Sequence, residues 1–274
     1  MALVVRSNPH STFAQNRLNK SQALFNSSLE KLASGSRINR AADDAAGLAI
    51  STALEHRIKG QGAAVRNAQE GVSMIQTAEG GVEQISGMLD RMRELAVRSS
   101  TESLNTTDRA NANAEFTELV GEINRIASTT NFNGKNLLNA TLVMSFRVGF
   151  QNVASNALAA TLDGGMSASS LALSTEAVDT EANANDALDA ISAALSTVNT
   201  YRSKLGAVQN RLERAIGNLE ADIENATAAN SRIRDVDFAA ETATFTRAQI
   251  LVQSGTAILA QANSSPQAAL SLLG

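Results

Sequence analysis

Apolar or small residues recur one heptad apart late in the chain: Ile191, Val198, Leu205, Leu212, Leu219, Ala226 and Ile233. A second row keeps the same step through Ala194, Tyr201, Val208 and Ala215. A seven-residue step held over about six heptads is a coiled-coil pattern, because it keeps one apolar seam facing a partner helix. The span has no proline, and its glycines are Gly206 and Gly217. It predicts a helix over about 180–230. At 1.5 Å per residue, a helix of about 45 residues is roughly 65–70 Å long, too long for a compact domain of this size.

The same step appears three more times. Leu54, Gln61, Ala68, Ile75, Val82 and Leu89, flanked by Ile58, Val65 and Val72, predict a second long helix over about 44–100. The Gly80-Gly81 pair inside it suits a bend or a close helix approach. Leu18, Phe25 and Leu32, with Leu24 and Leu29 beside them, predict a short amphipathic helix over about 12–33 after an irregular start containing Pro9. Phe238, Phe245, Val252 and Leu259 predict its counterpart at the other end, limited by Pro266, with Leu270, Leu272 and Leu273 closing the chain. Polar breaks at 34–44 and 231–237 separate the short helices from the long ones. Gly35 suits a helix C-terminus, and Asp43 and Asp44 suit a helix start. A further helix over about 108–129 has Phe116, Leu119, Val120, Ile123 and Ile126 on its apolar face.

Between the helices the period drops to two. Leu142, Met144, Phe146, Val148 and Phe150 alternate with Val143, Ser145, Arg147 and Gly149, and Leu158, Ala160 and Leu162 alternate again. These are two strands of a hairpin, preceded by the turn signal Asn131-Phe132-Asn133-Gly134 and closed by Asp163-Gly164-Gly165. The predicted class is mainly α: a long antiparallel helical bundle or coiled coil with a small β-hairpin region, about 131–165, and two terminal helical arms. The arms are residues 1–43 and 231–274; the rod domain is 44–230.

This order is a palindrome of lengths. If the two long helices pair antiparallel, both arms leave from the same end. Each arm carries an apolar stripe that little else in the chain covers, and isolated helices of that kind are marginal in water. Burial among neighbouring copies is the expected remedy. Different surfaces meeting on opposite sides of a subunit propagate as helical fibres.

Composition narrows the field of functions. The aromatic fraction is 3% and there is no Trp, which does not suit an aromatic-lined pocket. A net charge of −4 gives no reason to expect nucleic acid. Cysteine is absent, so disulfides and thiolate metal sites are excluded. No run of about 18 apolar residues exists, so no membrane insertion is expected. No ordinary cleaved secretory signal is visible. His10 and His56 have no partner cluster and read as surface residues. Asp43-Asp44 reads as a helix cap rather than a catalytic dyad, and Gly80-Gly81 lacks the Lys-Ser/Thr of a phosphate loop. Arg37, Arg40, Arg232 and Arg234 stand near Asp43, Asp44, Asp235 and Asp237, which points to local charge pairs between the breaks or between subunits. Asn105-Thr106-Thr107 and Asn139-Ala140-Thr141 match a glycosylation sequon, and Ser/Thr residues of 166–175 could carry glycans. No convergent polar constellation suggests an enzyme or a cofactor.

The two ends also resemble bacterial flagellin. Leu29–Asn39 (LEKLASGSRIN), Asp43–Ile50 (DDAAGLAI) and Gln15–Ser21 (QNRLNKS) are similar to its N-terminal signature. Arg232–Phe238 (RIRDVDF), Arg247–Leu251 (RAQIL), Ala260–Asn263 (AQAN) and Leu270–Leu273 (LSLL) are similar to its C-terminal one. The final Gly274 departs from the basic residue common there, and the chain lacks the large variable middle of many flagellins.

The resemblance implies a structural subunit of the flagellar filament, serving swimming motility. The arms would form an inner tube through Leu18, Phe25, Leu32, Phe238, Phe245, Val252 and Leu259. The long helices and hairpin would form an outer tube. Export unfolded through the flagellar type III system, without a cleaved signal, is implied too, giving an extracellular protein. Partners implied are other copies of the chain, an export chaperone, the filament cap and hook–filament junction proteins. A host Toll-like receptor is the last, through Asp90–Val97 (DRMRELAV) with Arg91 and Leu95, and through Glu115. The competing reading is a hook-associated or junction protein.

Overall fold

The computed structural model describes residues 8–162 and 165–270, with side-chain surroundings through 264; Asp163 and Gly164, expected to close the hairpin, and Leu272 and Leu273, expected to close the chain, lie outside them. Five helices carry most of the chain: α1 (Pro9–Ser34), α2 (Ala45–Ser99), α3 (Thr106–Thr129), α4 (Glu181–Arg234) and α5 (Phe238–Leu270). Between α3 and α4 lie β1 (Asn131–Phe132) and β2 (Lys135–Asn136), then β3 (Leu142–Arg147) and β4 (Ala157–Leu162). Each pair is antiparallel, with Phe132 opposite Lys135 in the first and Leu142 opposite Leu162 in the second. The chain divides into two compact units, residues 59–224 and residues 1–58 with 225–274.

The 59–224 unit is built around the heptad rows. Ala68, Ile75, Val82 and Leu89 of α2 share one buried cluster with Ile191, Val198, Leu205 and Leu212 of α4. Leu219 is buried as well, whereas Leu54, in the other unit, is half-buried. Phe116, Ile123 and Ala127 of α3 join the cluster, as do Met144, Leu158 and Leu162 of the hairpin. Seven-residue spacing thus supplies two facing seams, and the hairpin adds the side chains of its inner face. Gln61 keeps the heptad position but is polar. It is buried, and its Nε2 donates to Asp222 Oδ2 at 2.5 Å.

Gly81 is among the α2 glycines that answer a packing demand. A Cβ on Gly81 would lie 2.8 Å from both Leu138 and Thr130, so this glycine permits the close approach of the 130–138 segment. Gly80 faces open space. The β1–β2 turn is made by Asn133 (φ 50°) and Gly134 (φ 78°), both left-handed, as a two-residue hairpin of the Asn-Gly kind requires.

Several expected boundaries move. Pro9 is not part of an irregular start but opens α1, at the position where a missing N–H costs nothing. The β3 strand ends at Arg147 rather than near Phe150. The second break is only Asp235–Asp237, because α4 runs through 231–234. Pro266 does not limit α5, which continues to Leu270. The helix tolerates it because the carbonyl that a residue at 266 would normally bond, that of Ala262, accepts from Asn8 Nδ2 at 2.8 Å instead.

Tyr201 is the chain's one tyrosine and is 2% exposed. Its hydroxyl donates to the Leu137 carbonyl at 3.1 Å, tying α4 to the segment after β2. Burial pushes the phenol up to about 12. The folded-state value lies above the unfolded one, so this contribution is complete below pH 10 and is lost as pH rises towards 12. Tyr201→Phe should cost about 1–2 kcal/mol of unfolding free energy, by leaving a buried carbonyl unpaired. Denaturant melts of the two chains below pH 9 and near pH 11, with the gap narrowing at the higher pH, are the check.

Candidate assembly surface

The other unit holds the two arms. Asn8 caps α1, its Oδ1 accepting from the Ser11 amide at 3.1 Å. The helix ends where Gly35 turns left-handed at φ 70°. Asp237 Oδ1 accepts from the amides of Ala239 and Ala240, starting α5. The breaks that release both arms meet each other. Ser36 and Asp235 form an antiparallel bridge, the Arg37 amide donates to the Arg234 carbonyl at 2.6 Å, and Val236 donates to Gly35. Arg37 Nη2 also reaches the Ile233 carbonyl, and Arg234 pairs with Glu55. The expected charge pairing between breaks is therefore mostly main-chain pairing, with the Arg37 guanidinium satisfying one carbonyl at the end of α4.

Local capping shapes the first break. Asp43 Oδ2 accepts from the amides of Asn39 and Arg40, both at 3.0 Å. Those amide bonds hold its carboxyl below the usual range. Asp44 Oδ1 accepts from Gly47 at the start of α2. Arg40 reaches back to Glu30 at 2.8 Å. Ile38, between these polar groups, is buried.

Both arms are helical and lie against one another. Phe25 and Phe245 stack with ring centroids 4.9 Å apart. Leu18 sits close over Gly255, where a Cβ would come within 3.1 Å of its methyl. Ser11 Oγ donates to Asn263 Oδ1 at 2.7 Å, and Ala248 and Ser28 are fully buried. The rows through Leu18, Phe25 and Leu32, and through Phe245, Val252 and Leu259, are half-buried, while Phe238 is open to solvent. The rows therefore have partial cover within one chain, which spacing alone did not suggest.

What stays bare lies beside those rows. Phe13 is 62% exposed, Ile258 59% and Ile250 56%; Leu24, Leu29 and Leu251 are also exposed. Phe13, Leu18, Leu251 and Ile258 line a groove of about 350 Å³ between α1 and α5, with Arg17 over the Phe13 ring at 5.1 Å. An apolar surface of this kind on a single chain marks a contact site. Sequence reading reached Leu24, Leu29, Ile250 and Leu251 only as neighbours or motif residues, and passed over Phe13 and Ile258. Leu251 and Ile258 stand one heptad apart, and that second row beside the first was the available signal.

Comparison with known proteins decides what such a pair of arms belongs to. The bacterial flagellin N-terminal helical region matches residues 5–142, and the C-terminal helical region matches residues 188–273. The chain belongs to the bacterial flagellin family. A flagellin of Halalkalibacterium halodurans is 50% identical over 247 residues, covering 89% of this chain and 90% of that one. The flagellar filament 33 kDa core protein of Treponema phagedenis is 40% identical, covering 99% of this chain and all of its own length. A solved chain described as a flagellar hook-associated protein of Vibrio parahaemolyticus shares the fold, with TM-score 0.57 and 15% identity over 70% of this chain and all of that one.

In this flagellin-family chain Arg91, Leu95 and Glu115, the residues expected to meet a receptor, lie in the 59–224 unit. Arg91 of α2 is exposed and pairs with Glu115 of α3 and with Glu94, each at 2.8 Å. The bond from Glu115, then that from Glu94, holds the guanidinium protonated well beyond its ordinary range; the Glu115 carboxyl is correspondingly lowered. Leu95 is 4% exposed and belongs to the core cluster, whereas Val97 nearby is exposed. Arg91 and Glu115 are thus brought together at the surface, and Leu95 is placed inside. Among the described residues no helix is long and apolar enough to cross a membrane, and no group of His, Cys, Asp or Glu is arranged to hold a metal ion.

Proposed function

We infer that the protein is the structural subunit of a bacterial flagellar filament and works by polymerising with copies of itself. The supporting observation is the exposed apolar groove of the paired arms in a chain that matches flagellins along nearly its whole length. Arms 1–43 and 231–274 line the inner tube in this reading, and 44–230 forms the outer one. Leu18, Phe25, Leu32, Phe245, Val252 and Leu259 zip the two arms of one subunit. Phe13, Leu24, Ile250, Leu251 and Ile258 meet neighbouring subunits. The chain is exported unfolded with a chaperone, is added beneath a cap, and starts from hook–filament junction proteins. Purified protein treated with salt should sediment and show long filaments by negative stain. A hook-associated or junction protein gives no long filaments under those conditions, which separates the two readings.

Recognition by a host Toll-like receptor is carried by the Arg91–Glu115 pair. Leu95 supports that surface from the core rather than touching the receptor. Arg91→Ala should therefore lower receptor signalling by monomers about tenfold, through the loss of one charge-assisted contact. Circular dichroism should stay unchanged, and full signalling by the variant would refute the assignment.

A further inference from the structure

The Asn133–Gly134 turn combines three features that concern covalent chemistry rather than folding. It is the chain's one Asn-Gly dipeptide, so the amide nitrogen following Asn133 has no side chain shielding it. Both residues are exposed, and nothing stands within 4 Å of where a Gly134 side chain would be. The Asn133 carboxamide makes no hydrogen bond among the described residues. Its neighbours differ in the residue that follows them and in their hydrogen bonds. Asn131 Nδ2 donates to the Thr129 carbonyl at 2.8 Å, and bulky Phe132 follows it. Asn136 Nδ2 donates to Ser128 at 2.6 Å, its Oδ1 accepts from two amides, and Leu137 follows it.

We propose that Asn133 is a self-modification site, at which the side-chain amide is lost spontaneously to leave aspartate and isoaspartate. The Gly134 main-chain nitrogen, deprotonated by solvent base, attacks Asn133 Cγ. The new N–Cγ bond closes a five-membered succinimide, the Cγ–Nδ2 bond breaks, and Nδ2 leaves as ammonia. Water then opens the ring at either carbonyl. The sum is amide plus water giving carboxylate plus ammonium, with no oxidant or cofactor. Ring closure needs the Asn133–Gly134 peptide to rotate out of the turn. A hairpin of two-residue strands opens readily, since so short a ladder is marginal by itself.

The product has two consequences. A carboxylate appears at the lip of a cleft of about 400 Å³ that Lys135, Arg147 and Glu70 also line. In the isoaspartate form the main chain gains a methylene, so Phe132 and Lys135 no longer oppose each other, and half-buried Phe132 loses its register. The modification is thus irreversible and structural.

The test holds the folded full chain in mildly alkaline buffer and follows it by isoelectric focusing and peptide-resolved mass spectrometry. Asn133 should gain a one-dalton increment and an isoaspartyl linkage at least about tenfold faster than Asn131, Asn136 or Asn263, a barrier difference of about 1.4 kcal/mol. Asn133→Gly keeps a residue that accepts positive φ and removes the amide, so its acidic isoform should vanish while Tyr201 fluorescence stays native. Equal rates at Asn133 and Asn263, or acidic isoforms undiminished in Asn133→Gly, would overturn the proposal.

Discussion

A chain carrying Leu251→Asp and Ile258→Asp should stay in the supernatant under conditions that drive the unaltered chain into filaments. Both residues are exposed, stand one heptad apart on α5 and line the groove with Phe13. Neither belongs to the buried cluster of the 59–224 unit, so its melting should not change. In the polymer each substitution forces a carboxylate into an apolar contact with no partner. If each costs only about 1.4 kcal/mol, the critical concentration for assembly rises about a hundredfold. Sedimentation across a concentration series measures this directly. Leu18→Asp provides the contrast. Leu18 packs over Gly255 within the chain, so that variant should also reduce arm helicity before any assembly is attempted. Assembly of the double variant at the ordinary concentration would remove the arm groove from the mechanism.

Phe116→Ala should destabilise the 59–224 unit by about 3–5 kcal/mol, the range for deleting a buried aromatic ring. Phe116 is fully buried and is the largest of the completely buried side chains, at the meeting of α3 with the main cluster. For a unit of this size the loss corresponds to a melting temperature lower by about 6–20 °C. Tyr201 gives the readout, because the chain has no tryptophan and this is its one tyrosine. The arms should be unaffected, since Phe25, Phe245 and their contacts belong to the other unit. Filaments grown from the variant should melt closer to normal, because assembly binds only the folded subunit. A tyrosine transition unchanged in the variant would show that α3 contributes little to the unit.

Seven-residue spacing was enough to place α2 and α4 and to pick most of their buried seam, and an apolar face at three- and four-residue steps was enough for α3. An apolar residue at every seventh position has one physical use over so many turns: a facing helix. Alternation was enough for β3 and β4, and Asn133-Gly134 for the tight turn, because each pattern matches one backbone geometry. Proline and break positions were read less well. Whether Pro9 starts a helix and Pro266 passes within one depends on partners distant in sequence. One is the Ala262 carbonyl, which takes its hydrogen from Asn8.

Family signatures at both ends, and the number and kind of helices, were determined by the sequence alone. Only the tertiary structure decided which apolar residues of the arms remain free. Periodicity states that a face is apolar but not what lies against it. Phe25 stacks on Phe245, and Leu18 fills the space over Gly255, so the regular rows are partly spent within the subunit. Off-row Phe13, Leu251 and Ile258 are left exposed. In the same way Leu95 and Arg91 are neighbours in one motif, yet their positions on a helix turn one inward and the other to solvent. Burial is a property of two surfaces, and a linear pattern records only one of them.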